Sequence, residues 1–303
     1  MSGWPELDMQ RDHDTLAILH LAAQMLGKIR VAHAPWLNHG WHVALQPNAR
    51  GLSTLPTAAS GDRTFTLTLD LCRHAIVLWV SDESREEVPL NAGSIAALHH
   101  RLVDMLERHG LPSSFNGRPN EIADAIPFAE DHAHREYDRD SASRFREALA
   151  AVLPVFARFR AGFSGKASPV HFWWGSFDLA VTRFSGRPAP AHPGGVPGLP
   201  DRITREAYSD EVSSAGFWAA GVAPVEPFFY SYAYPEPDRY RSRTVSSGRY
   251  DGDYGEFVLP YADVRASSDP GRMLGEFLRS TYDAAADLAK WDRRTLEQEP
   301  VAP

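Results

Sequence analysis

The chain carries one cysteine, Cys72, in 303 residues. No internal disulfide can form, and the cysteine-rich zinc modules are excluded. Cys72 follows a strand-like run and reads as a small buried hydrophobe. Basic residues are not in excess: 31 Lys and Arg stand against 39 Asp and Glu, for a net charge of −8. That balance argues against a broad nucleic-acid groove. No apolar run approaches the roughly 20 residues of a membrane span. The N-terminus lacks a basic stretch followed by an apolar one, so a soluble, cytoplasmic protein is expected. No Gly-x-x-x-x-Gly-Lys loop is present to cradle a nucleotide phosphate. Serines 213 and 214 sit in no Gly-x-Ser-x-Gly elbow, so serine nucleophile chemistry is unsupported.

Hydrophobic residues make up 43% and charged residues 23%, the proportions of a globular domain. Apolar spacing predicts a helix over 14–30, capped by Asp14, and another over 94–109, capped by Ser94 and stopped by Gly110. A third begins at Ser141 and should kink or divide at Pro154; a fourth runs from Pro270 to Trp291. Strands are expected at 41–45, 63–71, 75–81, 213–219, 228–234 and 256–260. Residues 1–12 read as a loose lead-in and those after Asp292 as a frayed tail.

This order predicts an α+β protein of two similar halves, each a helix, three antiparallel strands and a helix, packed about a pseudo-twofold. The halves span 13–110 and 139–292, with an irregular connector at 111–138 and a tail at 293–303. Gly27-Lys28 and Gly165-Lys166 end the first helix of each, where a lysine complements the helix dipole. Trp41–Leu45 then aligns with Phe177–Val181 as equivalent strands. Their small polar faces are His42/Ala44/Gln46 and Ser176/Asp178/Ala180/Thr182.

The densest chemistry lies in His171–Arg187, which packs His171, Trp173, Trp174, Asp178, Arg183 and Arg187 into one strand-like stretch. Buried charges must be paired or neutralised, so a site is expected there. His42 and Asp178 should meet between the halves. His42 would serve as base or metal ligand, and Asp178 would orient it and raise its pKa. A divalent metal could be held by His42, His171 and Asp178, although no dedicated ligand spacing supports it. Arg183, Arg50 or Arg187 could clamp an anionic group of a small substrate. Arg183 nonetheless falls on the apolar face by parity. Trp174, Ser176, Trp218 and the one-faced stripe Tyr230, Tyr232 and Tyr234 would wall the pocket.

The segments Leu37–Val43, Ala49–Leu52, Ser168–Arg187, His192–Gly195, Glu211–Trp218 and Tyr232–Pro237 resemble DUF5996, a bacterial family of uncharacterised proteins. The resemblance covers nearly the whole chain. It implies no activity or cofactor. Asp210 stands where many relatives carry His, and Gly40 where they often carry Trp. The resulting expectation is an enzyme acting on a small molecule between the halves. A binding protein using the same pocket, or an interaction module with an aromatic surface, are the alternatives. The sequence does not fix an oligomeric state.

Overall fold

Met9–His33 holds no proline and one glycine, and apolar residues occupy every side of it. Such a stretch is stable as a helix only when enclosed. In a computed structural model, which describes residues 3–298 apart from 197 and 224, it forms the buried helix α1 (Met9–His33). Asp8, not Asp14, caps it, accepting from the Gln10 and Arg11 N–H groups. The last four residues of the expected loose lead-in, 9–12, therefore belong to the helix.

The first sheet contains β1 (Gln46–Asn48), β2 (Gly51–Ser53), β3 (Thr57–Ala58), β4 (Thr64–Asp70), β5 (Ala75–Val80) and β6 (Arg85–Pro89). Its order is β1-β2-β4-β5-β6, with β3 sharing the β2 edge of β4. In β4, Phe65, Leu67 and Leu69 are buried, as their alternation predicts. Helix α2 (Ile95–Arg108) follows, with Ser94 as its cap. Helix α3 (Arg139–Ala161) leads to the second sheet: β7 (His171–Trp173), β8 (Asp178–Pro188), β9 (Asp210–Trp218), β10 (Phe228–Tyr234), β11 (Arg249–Asp251) and β12 (Glu256–Pro260). Its order is β11-β12-β10-β9-β8-β7. Helix α4 (Asp201–Ala207) lies between β8 and β9, and α5 (Tyr261–Ala266), α6 (Pro270–Leu288) and α7 (Arg293–Leu296) complete the chain.

The fold is α+β, with two antiparallel sheets of six strands each rather than three. The strand orders do not establish a twofold, because only the first sheet branches. Trp41–Leu45 is not a strand. His39 takes a left-handed backbone (φ 57°), Trp41–Val43 turn, and only Leu45 reaches the second sheet, exchanging both backbone hydrogen bonds with Phe172 at 2.9 Å. Pro154 does not divide α3. The carbonyl it leaves without a partner belongs to exposed Ala150, which water can satisfy. Cys72 is exposed in the β4–β5 turn rather than buried. The tail is helical at α7 and held by the Ser164 N–H donating to the Leu296 carbonyl.

Helix α1 joins the two sheets. It touches β3 and β4 on one side, and its Gly27 receives the Trp174 indole, which any β-carbon there would strike. Asp12, fully buried, ties α1 to α3 by accepting from Arg11 (2.9 Å), Arg144 (2.7 Å) and Ser141 (2.6 Å). Burial alone would raise its pKa, but these donors hold it well below the usual carboxylate range. Asp12→Ala should lower unfolding free energy by about 2–3 kcal/mol in chemical denaturation, since it strands two guanidinium groups that remain partly hydrated. A loss under about 0.5 kcal/mol, the range of a surface substitution, would contradict this role for Asp12.

Candidate functional site

The second sheet presents two unlike faces because alternate strand residues point to opposite sides. Leu179, Val181 and Phe217 are buried in the main core on one face. Asp178, Ala180, Thr182, Val212, Ser214 and Tyr230 line a cavity of about 420 Å³ on the other. The polar face read from Ser176–Thr182 is therefore the cavity floor. Three further segments close the space: the turn at 36–43, Asn120-Glu121 of the connector, and 199–208 including α4.

Asp178 is the best-defined group in the cavity. It is 4% exposed. One carboxyl oxygen accepts from the Ser176 hydroxyl and the other from the Tyr230 hydroxyl. Tyr230 lies two strands away, across β9. Its ring reaches Asp178 only because Gly216 lies beneath it; a β-carbon there would collide with the phenol. Burial pushes Asp178 up to about 6, against the pull of its two donors. Tyr232, next along the same face, receives a hydrogen bond from Tyr208 at 2.9 Å. Glu256 follows on β12, one place beyond the Ser231–Phe257 pair.

Glu121 enters from the irregular connector. Its backbone is left-handed (φ 56°), unusual for a glutamate. Its carboxyl lies against Gly175 and its backbone against Gly198, and a β-carbon at either glycine would collide. Three buried side chains of α1, one helical turn apart, hold both segments. His20 accepts the Val222 N–H on Nδ1 (3.2 Å), so Nε2 carries the proton and donates to the Gly175 carbonyl (2.9 Å). Gln24 donates to the Asn120 carbonyl and accepts its N–H, both at 2.8 Å. Lys28 donates to Asn120 Oδ1 at 2.6 Å. Lys28 is thus no helix-end residue, and its burial pushes the ammonium down to about 8. Glu121 lines the cavity but remains exposed. Surrounding protein and the nearby Asp178 charge still hold it up toward 7, moderated by whatever water fills the space.

The histidines occupy the other end. His42 lines the cavity, and its Nδ1 accepts the Leu37 N–H at 3.2 Å, leaving the proton on Nε2. Burial and the Arg30 charge push its pKa down, not up. His39 donates from Nδ1 to the Glu206 carbonyl at 3.2 Å, while its buried Nε2 has no hydrogen-bond partner. That nitrogen stands 3.9 Å from Asp210, which pairs with Lys166 at 2.6 Å. Burial and Lys166 depress His39 as well.

Of the residues expected at the site, His42, Trp174, Ser176, Asp178, Tyr230 and Tyr232 line the cavity. His171 does not; it is buried edge-on to Trp41 and Trp173, and burial pushes it down to about 4. Arg183 faces the helices, its guanidinium 3.6 Å over Phe159 and 4.3 Å over Tyr282, and donates to the Phe159 carbonyl. Parity placed it there, away from the cavity. Arg50 is bound to Asp70 at 2.6 Å, and Arg187 to Glu211 at 2.6 Å and to the Ala289 carbonyl beyond α6. Trp218 supports the floor from outside, donating to the Ser176 carbonyl at 2.8 Å. Tyr234 donates to the Pro190 carbonyl and packs on His192. Among the described residues, no three His, Cys, Asp or Glu side chains converge to hold a metal. His42, His171 and Asp178 are therefore not a ligand set: Asp178 is engaged by hydroxyls and His171 sits behind indoles.

Sequence reasoning missed Glu121, Glu256, Tyr208 and Arg202. Gly175 and Gly216 were the available signals, since each leaves room for a carboxyl or a phenol.

The raised carboxyls leave a mark on stability. In the unfolded chain they shed protons near 4, whereas in the folded chain Glu121 and Glu256 keep theirs to about 7 and about 8. Their stabilising contribution is complete at low pH and is lost as pH rises through those values. Buried His20 and His171, both pushed down to about 4, act oppositely, but only between 4 and the ordinary histidine value near 6.5. Lys28, down to about 8, acts above that. Stability should therefore fall between pH 6.5 and 8, and Glu256→Gln should remove about 1 kcal/mol of that fall in urea titrations. An unchanged slope in the variant would contradict the placement of Glu256.

No curated protein and no solved structure matches the chain. A family profile matches residues 4–298, nearly its whole length. The chain belongs to the family of unknown function DUF5996.

Proposed function

We propose that this protein is an enzyme that moves a proton on a small molecule held in the cavity. One observation carries the reading: two carboxyls, Asp178 and Glu121, enter one aromatic-walled space from different segments, raised to about 6 and about 7. Two acids whose environments separate their pKa values near neutrality suit a base and an acid respectively. Asp178, ionised at pH 7, is the base; Glu121, partly protonated, is the acid. His42 is replaced in that role, because its environment disfavours the imidazolium. The aromatic walls exclude water and strengthen the electrostatics of the site.

A non-catalytic binding role is the second reading, favoured by the hydrogen bonds that already occupy both oxygens of Asp178. Incubation of the protein with a metabolite mixture in D2O, followed by mass spectrometry, separates the two. The enzyme reading expects conversion of, or deuterium uptake into, at least one compound. Asp178→Asn should reduce that rate about 10²–10⁴-fold with the circular dichroism spectrum unchanged. A compound that binds and is recovered unlabelled and unaltered would overturn catalysis and leave binding.

A further inference from the structure

We infer that the ligand of this cavity is an organic cation, a ring-bearing amine or quaternary ammonium compound, held between the carboxyls of Glu121 and Asp178 and the aromatic walls, with Glu256 beside Tyr232 adding to the negative field. The inference rests on the cavity reading above and adds the ligand's class. Elsewhere, buried acids have cationic partners: Asp12 has Arg11 and Arg144, and Asp131 has Arg135 at 3.0 Å. Among the described residues, Glu121, Asp178 and Glu256 form no ion pair. Asp178 nevertheless repels the charge of both other carboxyls. Two acids face the cavity and a third stands close by on β12, none of them ion-paired, which leaves a deficit that a cation would fill.

The walls suit the same ligand. Trp36, Trp41, Tyr208, Tyr230 and Tyr232 line the cavity, and aromatic faces attract cations through their quadrupole. Two of the cavity's indoles already take one: Arg202 lies 5.0 Å over Trp36 at the rim, and Lys28 5.8 Å from Trp174 behind Asn120. The three arginines that could have bound an anion face elsewhere. At the far end, the buried and unpartnered His39 Nε2 would accept a hydrogen bond from the ligand's own N–H or O–H.

Calorimetric titration with benzyltrimethylammonium, benzyl alcohol and 3-phenylpropanoate, at pH 6 and pH 8, tests the assignment. The titratable groups around the carboxyls are Lys28 of α1, Arg202 of α4, Asp251 of β11 opposite Glu256, the Asp210–Lys166 pair, and neutral His39 and His42. Between these pH values Glu121 and Glu256 ionise, and Lys28 begins to lose its charge. Both changes favour a cation. The cationic probe should therefore bind about tenfold tighter at pH 8, as expected for about one added charge interaction. It should release protons on binding. Glu121→Gln and Glu256→Gln should each weaken it several-fold with melting behaviour retained. Tighter binding of the neutral or anionic probe, a pH-independent cation, or no binding of the cation at 10 mM, about the weakest affinity calorimetry resolves, would overturn the inference. The proton-transfer reading stands or falls separately, on the Asp178→Asn assay.

Discussion

The site depends on one row of polar side chains along the buried helix α1. His20, Gln24 and Lys28 follow at four-residue steps along α1, so they share a face. None could be buried without partners, because an unsatisfied polar group costs about 1–3 kcal/mol. Their partners are the backbone and side chain of Asn120 and the carbonyl of Gly175. Those atoms neighbour Glu121 and Ser176. Helix α1 thus converts the obligation to satisfy its buried amide, imidazole and ammonium into the placement of two loops that present acids. Sub-ångström definition of this kind is what a catalytic or binding constellation needs from its supporting shell.

A second constraint acts through the sheet. Asp178 and Tyr230 belong to strands separated by β9 and meet only because Gly216 adds no side chain between them. Gly175 performs the same service for Glu121. The cavity is shaped as much by missing β-carbons as by the aromatic rings that fill its walls. Burial then does the electrostatic tuning: it raises the acids and depresses the histidines. Near neutrality the proton-carrying groups of this cavity are carboxyls.

Much of the architecture was legible because periodicity is local. The alternation of β4, the Ser94 cap of α2 and the limits of β10 follow from spacing alone. Parity even assigned Arg183 to the core face, where aromatic rings enclose it. The cavity face Ser176–Thr182 was readable for the same reason. What failed was tertiary. The strand expected at Trp41–Leu45 yields to a left-handed turn at His39, and with it goes the strand-to-strand alignment of His42 with Asp178, although both line the cavity. Glu121 lies in a segment without periodicity, in a backbone conformation that no residue pattern announces. Only the packing of α1 and two distant glycines bring it to the site.

The most direct measurement is a carbon-13 NMR titration of the Asp178 and Glu121 side-chain carboxyls in the intact protein. A site built for proton transfer requires Asp178 to titrate near 6 and Glu121 near 7. Titration of both groups near 4, the ordinary range of hydrated carboxyls, would contradict it.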